Sequence, residues 1–184
     1  MTSRVTEQLS VEAYLERERL SEVRHEYVDG VVVAMAGEKR VHNRLARRFV
    51  LLLEPVADRL GCEVIVETVK VRTRDTRYRY PDFAVSCSAG DDPLYLENPC
   101  LIVEILSDST EHTDFGKKLD EYTRLSSLQR YVLVASDSRF VVVYRREGTR
   151  WTVESLEGAG EFDVPCLETT VTLEQIYAGI EFNS

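Results

Sequence analysis

The chain has 184 residues, 43% hydrophobic and 30% charged, with 23 basic side chains against 32 acidic ones and a formal charge of −9. This length suits a single domain spanning residues 1–184 with a sizeable core, and the balance excludes a disordered or fibrous chain. No apolar segment approaches the roughly 20 residues of a bilayer span, the start MTSRVTEQLSVEAYLERERL lacks the apolar core of a signal peptide, and the net charge argues against a nonspecific coat on nucleic acid.

LSVEAYLERER predicts a short helix opened by Ser10, with Val11, Tyr14 and Leu15 apolar at helical spacing. In RHEYVDGVVVAMA, Asp29-Gly30 stands between extended residues and predicts a two-residue hairpin turn. A long helix is expected from about residue 40 to 60. Val41, Leu45, Phe49, Leu52 and Leu53 recur at steps of mostly three or four, Pro55 should kink or end its regular part, and Gly61 is the C-terminal stop. CEVIVETVKVR, PDFAVSC and CLIVEIL predict strands, and a helix is expected near 114–126 with Leu119, Tyr122 and Leu125 on one side. RYVLVAS and FVVVYRR form a strand pair around Asp137-Ser138, RWTVESL adds a strand, and Thr172 opens a last short helix with Gln175 in the capping-box position. The alternation of helices and hairpins indicates a mixed α/β or α+β fold.

Cys62, Cys87, Cys100 and Cys166 form no C-x-x-C pair, so reduced and mostly buried thiols are expected, and neither they nor His25, His42 and His112 show zinc-ligand spacing. Ten of the 23 positive charges lie in two windows, KRVHNRLARR at 39–48 and KVRTRDTRYR at 70–79. Each window reads either as a solvated face or as a phosphate-binding surface.

Two acids stand out, Asp82 in YPDFAVSC and Glu104 inside the apolar run PCLIVEIL. If their strands pair antiparallel with residue numbers summing to 186, Asp82 faces Glu104 and Cys87 faces Pro99. Asp82, Ala84 and Ser86 then share a side with Cys100, Ile102 and Glu104, while Phe83 and Val85 turn to the other. Two carboxylates at that spacing repel, and desolvating them is expensive without a cation. Mg²⁺ suits such a pair, being hard and oxygen-seeking, with open positions for water and phosphate oxygens. The bland alternative is an exposed Asp82 and a Glu104 paired with an arginine. DFGKKLDEY places Asp114, Lys118 and Tyr122 at four-residue spacing, so Lys118 could reach back to the acids or, like Lys117, simply face solvent. Glu26, sharing a strand face with Val28, reads from the pattern alone as an ordinary exposed glutamate.

The ordered set RHEYVDG, His42 opening a long helix, YPD, LIVEILSDST and DxxxKxxxY resembles the Uma-type family of restriction endonuclease-like proteins in the PD-(D/E)XK nuclease superfamily. That resemblance implies a restriction-endonuclease-like core, a mixed sheet flanked by helices, with a Mg²⁺-dependent phosphodiesterase centre that could also take Mn²⁺. It carries Asp82 onto the Asp of the PD motif and Glu104 onto the second acid, both as metal ligands. The superfamily's usual lysine position holds Leu106, and Lys118 matches the lysine that this family carries on the next helix. Glu26 matches an N-terminal glutamate that is an extra metal ligand or water-binding group. Asp108 stands where the family often has proline.

The expected function is metal-dependent hydrolysis of nucleic-acid phosphodiesters, DNA above all, by a cytoplasmic protein with no membrane partner and room for a homodimer. Lys70, Arg72 and Arg74, on one strand face, are the expected phosphate contacts. One alternative is a catalytically inactive nuclease fold that binds DNA or protein. Another is a metal-free carboxylate pair of glycosidase type, which the lone Trp151 and the apolar setting of Glu104 disfavour.

Overall fold

A computed structural model describes residues 8–35, 37, 39–88, 92–106 and 114–182, with the side chains of 114 and 115 left undescribed. The Ser107-Asp108 loop therefore lies outside the described residues, as does the side chain of Asp114. Helix α1 (Val11–Leu20) opens at Ser10, whose hydroxyl accepts from the Ala13 N–H, and strands β1 (His25–Val28) and β2 (Val31–Ala34) follow. Val28 pairs with Val31 across Asp29 and Gly30, both at positive φ, so the turn is the tight form that Asp-Gly favours. Helix α2 (Arg40–Leu60) runs through Pro55 without ending, and Gly61 closes it in the left-handed conformation at φ 69°.

The expected strand CEVIVETVKVR is instead two strands in two sheets. β3 (Glu63–Val66) and β4 (Lys70–Arg74) are separated by Glu67, a non-glycine residue at φ 47°, which turns the chain out of one sheet and into the other. β5 (Arg77–Arg79), β6 (Phe83–Ser86), β7 (Tyr95–Leu96) and β8 (Pro99–Leu106) come next. The helix expected near 114–126 is a π-helical turn (Asp114–Lys118) running into a single α-helical turn, α3 (Leu119–Tyr122). β9 (Arg130–Ala135), β10 (Phe140–Glu147) and β11 (Arg150–Glu157) form a meander. Then β12 (Glu161–Val164), a 3₁₀ turn (Pro165–Leu167) and β13 (Thr169–Thr172) lead into α4 (Leu173–Ile176), whose Thr172/Gln175 capping box is present in both directions.

The larger sheet has the order β11-β10-β9-β8-β6-β3, with β8 and β9 parallel and every other pair antiparallel. The smaller has the order β2-β1-β5-β4-β7. One face of the larger sheet packs Phe83, Val85, Leu101 and Val103 against Leu45, Phe49 and Leu53 of α2. The other packs Ala84, Ile102 and Leu133 against Tyr122 of α3 and Val71 of the smaller sheet. The smaller sheet carries α1 through a cluster of Tyr14, Tyr27 and Tyr78. Among the described residues no helix is long and apolar enough to cross a membrane.

β6 and β8 pair as Phe83↔Val103, Ala84↔Ile102 and Val85↔Leu101, the register summing to 186, and then slip so that Ser86 rather than Cys87 meets Pro99. Because of that irregularity Cys100 packs with the α2 face and not with Ile102. The expectation of separate reduced thiols is overturned, since Cys62 is bridged to Cys87 and Cys100 to Cys166. The first bridge follows from the ladder, where Glu63 pairs with Ser86 and so brings the flanking cysteines together.

Candidate active site

All eight residues of β8 are buried, Glu104 among them, because β6 and β9 cover its edges and helices its faces. Alternation sends Leu101, Val103 and Ile105 toward α2 and Ile102 and Glu104 toward α3. There Glu104 Oε1 accepts from Lys118 Nζ at 3.0 Å and from the Tyr122 hydroxyl at 2.9 Å. Burial first, and then the charge of Glu104, holds the Tyr122 phenol far above its ordinary pKa, so it remains a donor. Lys118 is buried whereas Lys117 is exposed, so of the two readings left open for Lys118 the structure has the one that reaches Glu104.

Glu26 is not the ordinary exposed side chain that its pattern suggested. Its Oε1 is buried, accepts no hydrogen bond among the described residues and lies 3.6 Å from Lys118 Nζ, while its Oε2 accepts from Arg79 at 2.6 Å. Arg79 in turn makes two bonds of 2.8 Å to Glu121, a fully buried acid that sequence reasoning missed. Glu121 also accepts from Arg77 at 2.9 Å and Thr73 at 3.2 Å, and Arg77 reaches Asp29 in the hairpin turn. Signs therefore alternate from Glu104 through Lys118, Glu26, Arg79, Glu121 and Arg77 to Asp29. Burial pushes the Glu121 pKa up, but the bonds and charges of Arg79 and Arg77 outweigh it and leave it below the usual value.

Asp82 sits immediately before β6. Its Oδ2 accepts from the Ile105 backbone N–H at 2.6 Å, next to Glu104 in the chain, and lies 3.1 Å from His42 Nε2 in the first turn of α2. Glu67 lies 3.9 Å from His42 Nδ1, and one ligand atom from each of His42, Glu67 and Asp82 falls within 4.8 Å of the others. The structure thus brings Glu104, Lys118 and Glu26 together and groups Asp82 with His42 and Glu67. The position of Glu67 depends on its left-handed turn, a feature with no composition signal. The donor set suits a hard cation. The buried Glu26 Oε1 accepts no hydrogen bond among the described residues, and Asp82 and Glu67 place carboxylate oxygens beside an imidazole.

The three expected phosphate contacts lie elsewhere on the smaller sheet. Lys70 is buried with its ammonium 5.6 Å from the centre of the Tyr80 ring, and burial lowers its pKa against the raising charge of Glu18. Arg72 pairs with Glu97, and Arg74 with Asp120 at 3.2 Å. In the other basic window, Arg44 and Arg48 donate to the carbonyls of Gly179 and Ala178, while Arg40 and Arg47 are exposed.

A six-stranded mixed sheet flanked by helices, with a buried glutamate in a central strand and an aspartate at the mouth of its neighbour, defines a restriction-endonuclease-like core. The chain belongs to the Uma2 family, described as "Putative restriction endonuclease", which matches residues 11–174. It is 31% identical over 178 residues to the uncharacterized protein slr1290 of Synechocystis, covering 95% of this chain and 94% of that one. Against sll1609 of the same organism it is 29% identical over 165 residues, covering 86% and 93%. Among solved structures it is similar to "a putative nuclease belonging to DUF820" from Anabaena variabilis, with a TM-score of 0.75 at 18% identity over 92% of this chain and 98% of that one.

Proposed function

We propose that this protein is a metal-dependent endonuclease that hydrolyses nucleic-acid phosphodiesters, with DNA as the substrate and the cytoplasm as its location. The observation that carries the reading is Glu104, buried in a central strand where an apolar residue would pack, yet held by Lys118 and Tyr122 beside the Asp82–Ile105 bond. Asp82 and Glu104 would hold Mg²⁺ or Mn²⁺, with Glu26 as a further acid and His42 and Glu67 flanking Asp82. Bound there, such an ion supplies positive charge for a phosphate oxygen and a more acidic water. Tyr122 fixes the carboxylate of Glu104 by its hydrogen bond. Lys118 orients the attacking water and offsets charge that develops on the phosphorane. Arg79, anchored by Glu121, positions Glu26. Arg40 and Arg47, on a helix whose first turn has no acid, face solvent ready for phosphate, whereas Arg72 and Arg74 must first exchange Glu97 and Asp120.

A second reading, a noncatalytic nucleic-acid-binding module, has one observation in its favour: the Lys118 ammonium already stands between Glu104 and Glu26. Calorimetry with Mg²⁺ and Mn²⁺, run beside a plasmid-cleavage assay, decides between the two. The wild-type chain is expected to bind the ion and cut, and Glu104→Gln to bind it at least about tenfold more weakly and not cut. A wild-type chain that retains DNA in a salt-sensitive way but neither binds metal nor cuts would establish the second reading.

A further inference from the structure

All four cysteines of the chain converge at one end of the larger sheet, although they are scattered through the sequence. Cys62 precedes β3, Cys87 follows β6, Cys100 is the second residue of β8, and Cys166 sits in the 3₁₀ turn at 165–167. The Sγ atoms of Cys87 and Cys100, which belong to different bridges, are 4.0 Å apart. Those of Cys87, Cys100 and Cys166 all fall within 4.8 Å of one another, and Cys62 is bonded to Cys87. Four thiolates around one tetrahedral Zn²⁺, with Zn–S near 2.3 Å, stand about 3.8 Å apart along each edge. The contact between the two bridges already has that spacing, and opening the bridges would free the other sulfurs toward it.

We propose that, with its bridges reduced, this protein holds a single Zn²⁺ on Cys62, Cys87, Cys100 and Cys166, a closed structural site separate from the nuclease centre. Four protein sulfurs leave no open position for water or substrate, which marks a structural rather than a catalytic ion. A multi-iron cluster, in which each iron takes its own cysteine, spreads the sulfurs further than is seen here. Asp82 and Cys87 lie at opposite ends of β6, five residues or about 16 Å apart along an extended chain, so the ion would not touch the reacting atoms. Its action is to clamp the far ends of β3, β6 and β8, two of which bear on Asp82 and Glu104. Reducing each bridge takes two electrons. A phosphine supplies them and becomes the phosphine oxide with oxygen from water, giving two thiols. Zn²⁺ then displaces the four thiol protons. Hydrogen peroxide reverses the process, two molecules taking four electrons from the four thiolates, restoring both bridges, yielding water and expelling the ion.

The test uses the full chain, reduced with a phosphine, loaded with ZnCl₂, and dialysed without oxygen. Elemental analysis is expected to find one zinc per chain, and Co²⁺ in its place should give the intense thiolate-to-metal absorption that oxygen and imidazole ligands cannot produce. Titration with peroxide should release the zinc to a chromogenic chelator as the second equivalent is consumed. Cys100→Ser should retain less than about a tenth of the zinc under the same dialysis. The wild-type measurements stand even where that variant fails to fold. Reduced wild-type chain that keeps no zinc, or gives cobalt no thiolate absorption, overturns the proposal, and iron in place of zinc overturns its choice of ion. None of these outcomes bears on the nuclease reading, which rests on Mg²⁺ at the acids.

Discussion

Substituting methionine for Lys118 is expected to lower cleavage by about 100-fold or more, the scale for removing one preorganised donor from developing negative charge. Leu106 stands two residues beyond Glu104 and cannot supply that charge, whereas Lys118 reaches Glu104 at 3.0 Å and Glu26 at 3.6 Å. Methionine keeps the length of the stem and loses only the ammonium. The control is Lys117→Met, next in the chain but exposed, which should change cleavage less than about twofold. A purely structural role for Lys118 would show as lost stability with full turnover by the chains that remain folded. Thermal unfolding and Mg²⁺ binding measured beside the rate separate the two. Activity that survives Lys118→Met and vanishes with Lys117→Met would refute the assignment.

Local signals account for most of what was legible in the sequence. Asp29-Gly30, the Thr172/Gln175 box and the spacing of Leu45, Phe49 and Leu53 act within a few residues, and each element formed as its signal required. The 186 register assumed from symmetry holds from Phe83–Val103 to Val85–Leu101 and fails at Pro99, and alternation supports it only in part, since a one-residue slip would have turned Phe83 and Val103 away from α2. The split between β3 and β4 was hidden because its pivot is a glutamate rather than a glycine. Glu26 and Glu121 were misread or missed for another reason. Their burial depends on Arg79, which is 53 and 42 positions away, and no periodicity reports a partner at that range. The cysteine cluster was invisible in the same way, with bridges spanning 25 and 66 residues. Four-residue spacing put Lys118 on one face with Tyr122, but only the family resemblance gave that lysine a place beside the acids.

Glu121 should prove among the most sensitive positions for stability. It is fully buried, and three side chains, Arg79, Arg77 and Thr73, converge on its two oxygens. Removing one member of a buried ion pair strands the other, so Glu121→Ala is expected to destabilise the fold by about 3–5 kcal/mol in urea unfolding. Should that chain fail to fold, Glu121→Gln, which keeps a carbonyl acceptor, is expected to lose about 1–3 kcal/mol. The pH dependence has a definite sign. Glu121 has a lowered pKa in the folded state, so its contribution is complete above the unfolded value near 4.3 and is lost as pH falls through the folded value below it. The gap between wild type and Glu121→Gln should therefore be constant from about pH 6 to 8 and narrow progressively below about pH 4, as the carboxylate takes up a proton. A loss under about 1 kcal/mol for Glu121→Ala, or a gap that widens with acid, would mean that Arg79 is held by Glu26 alone. In that case Glu26 would not depend on Glu121 for its place beside Lys118, and the alternating chain of charges would be two independent pairs.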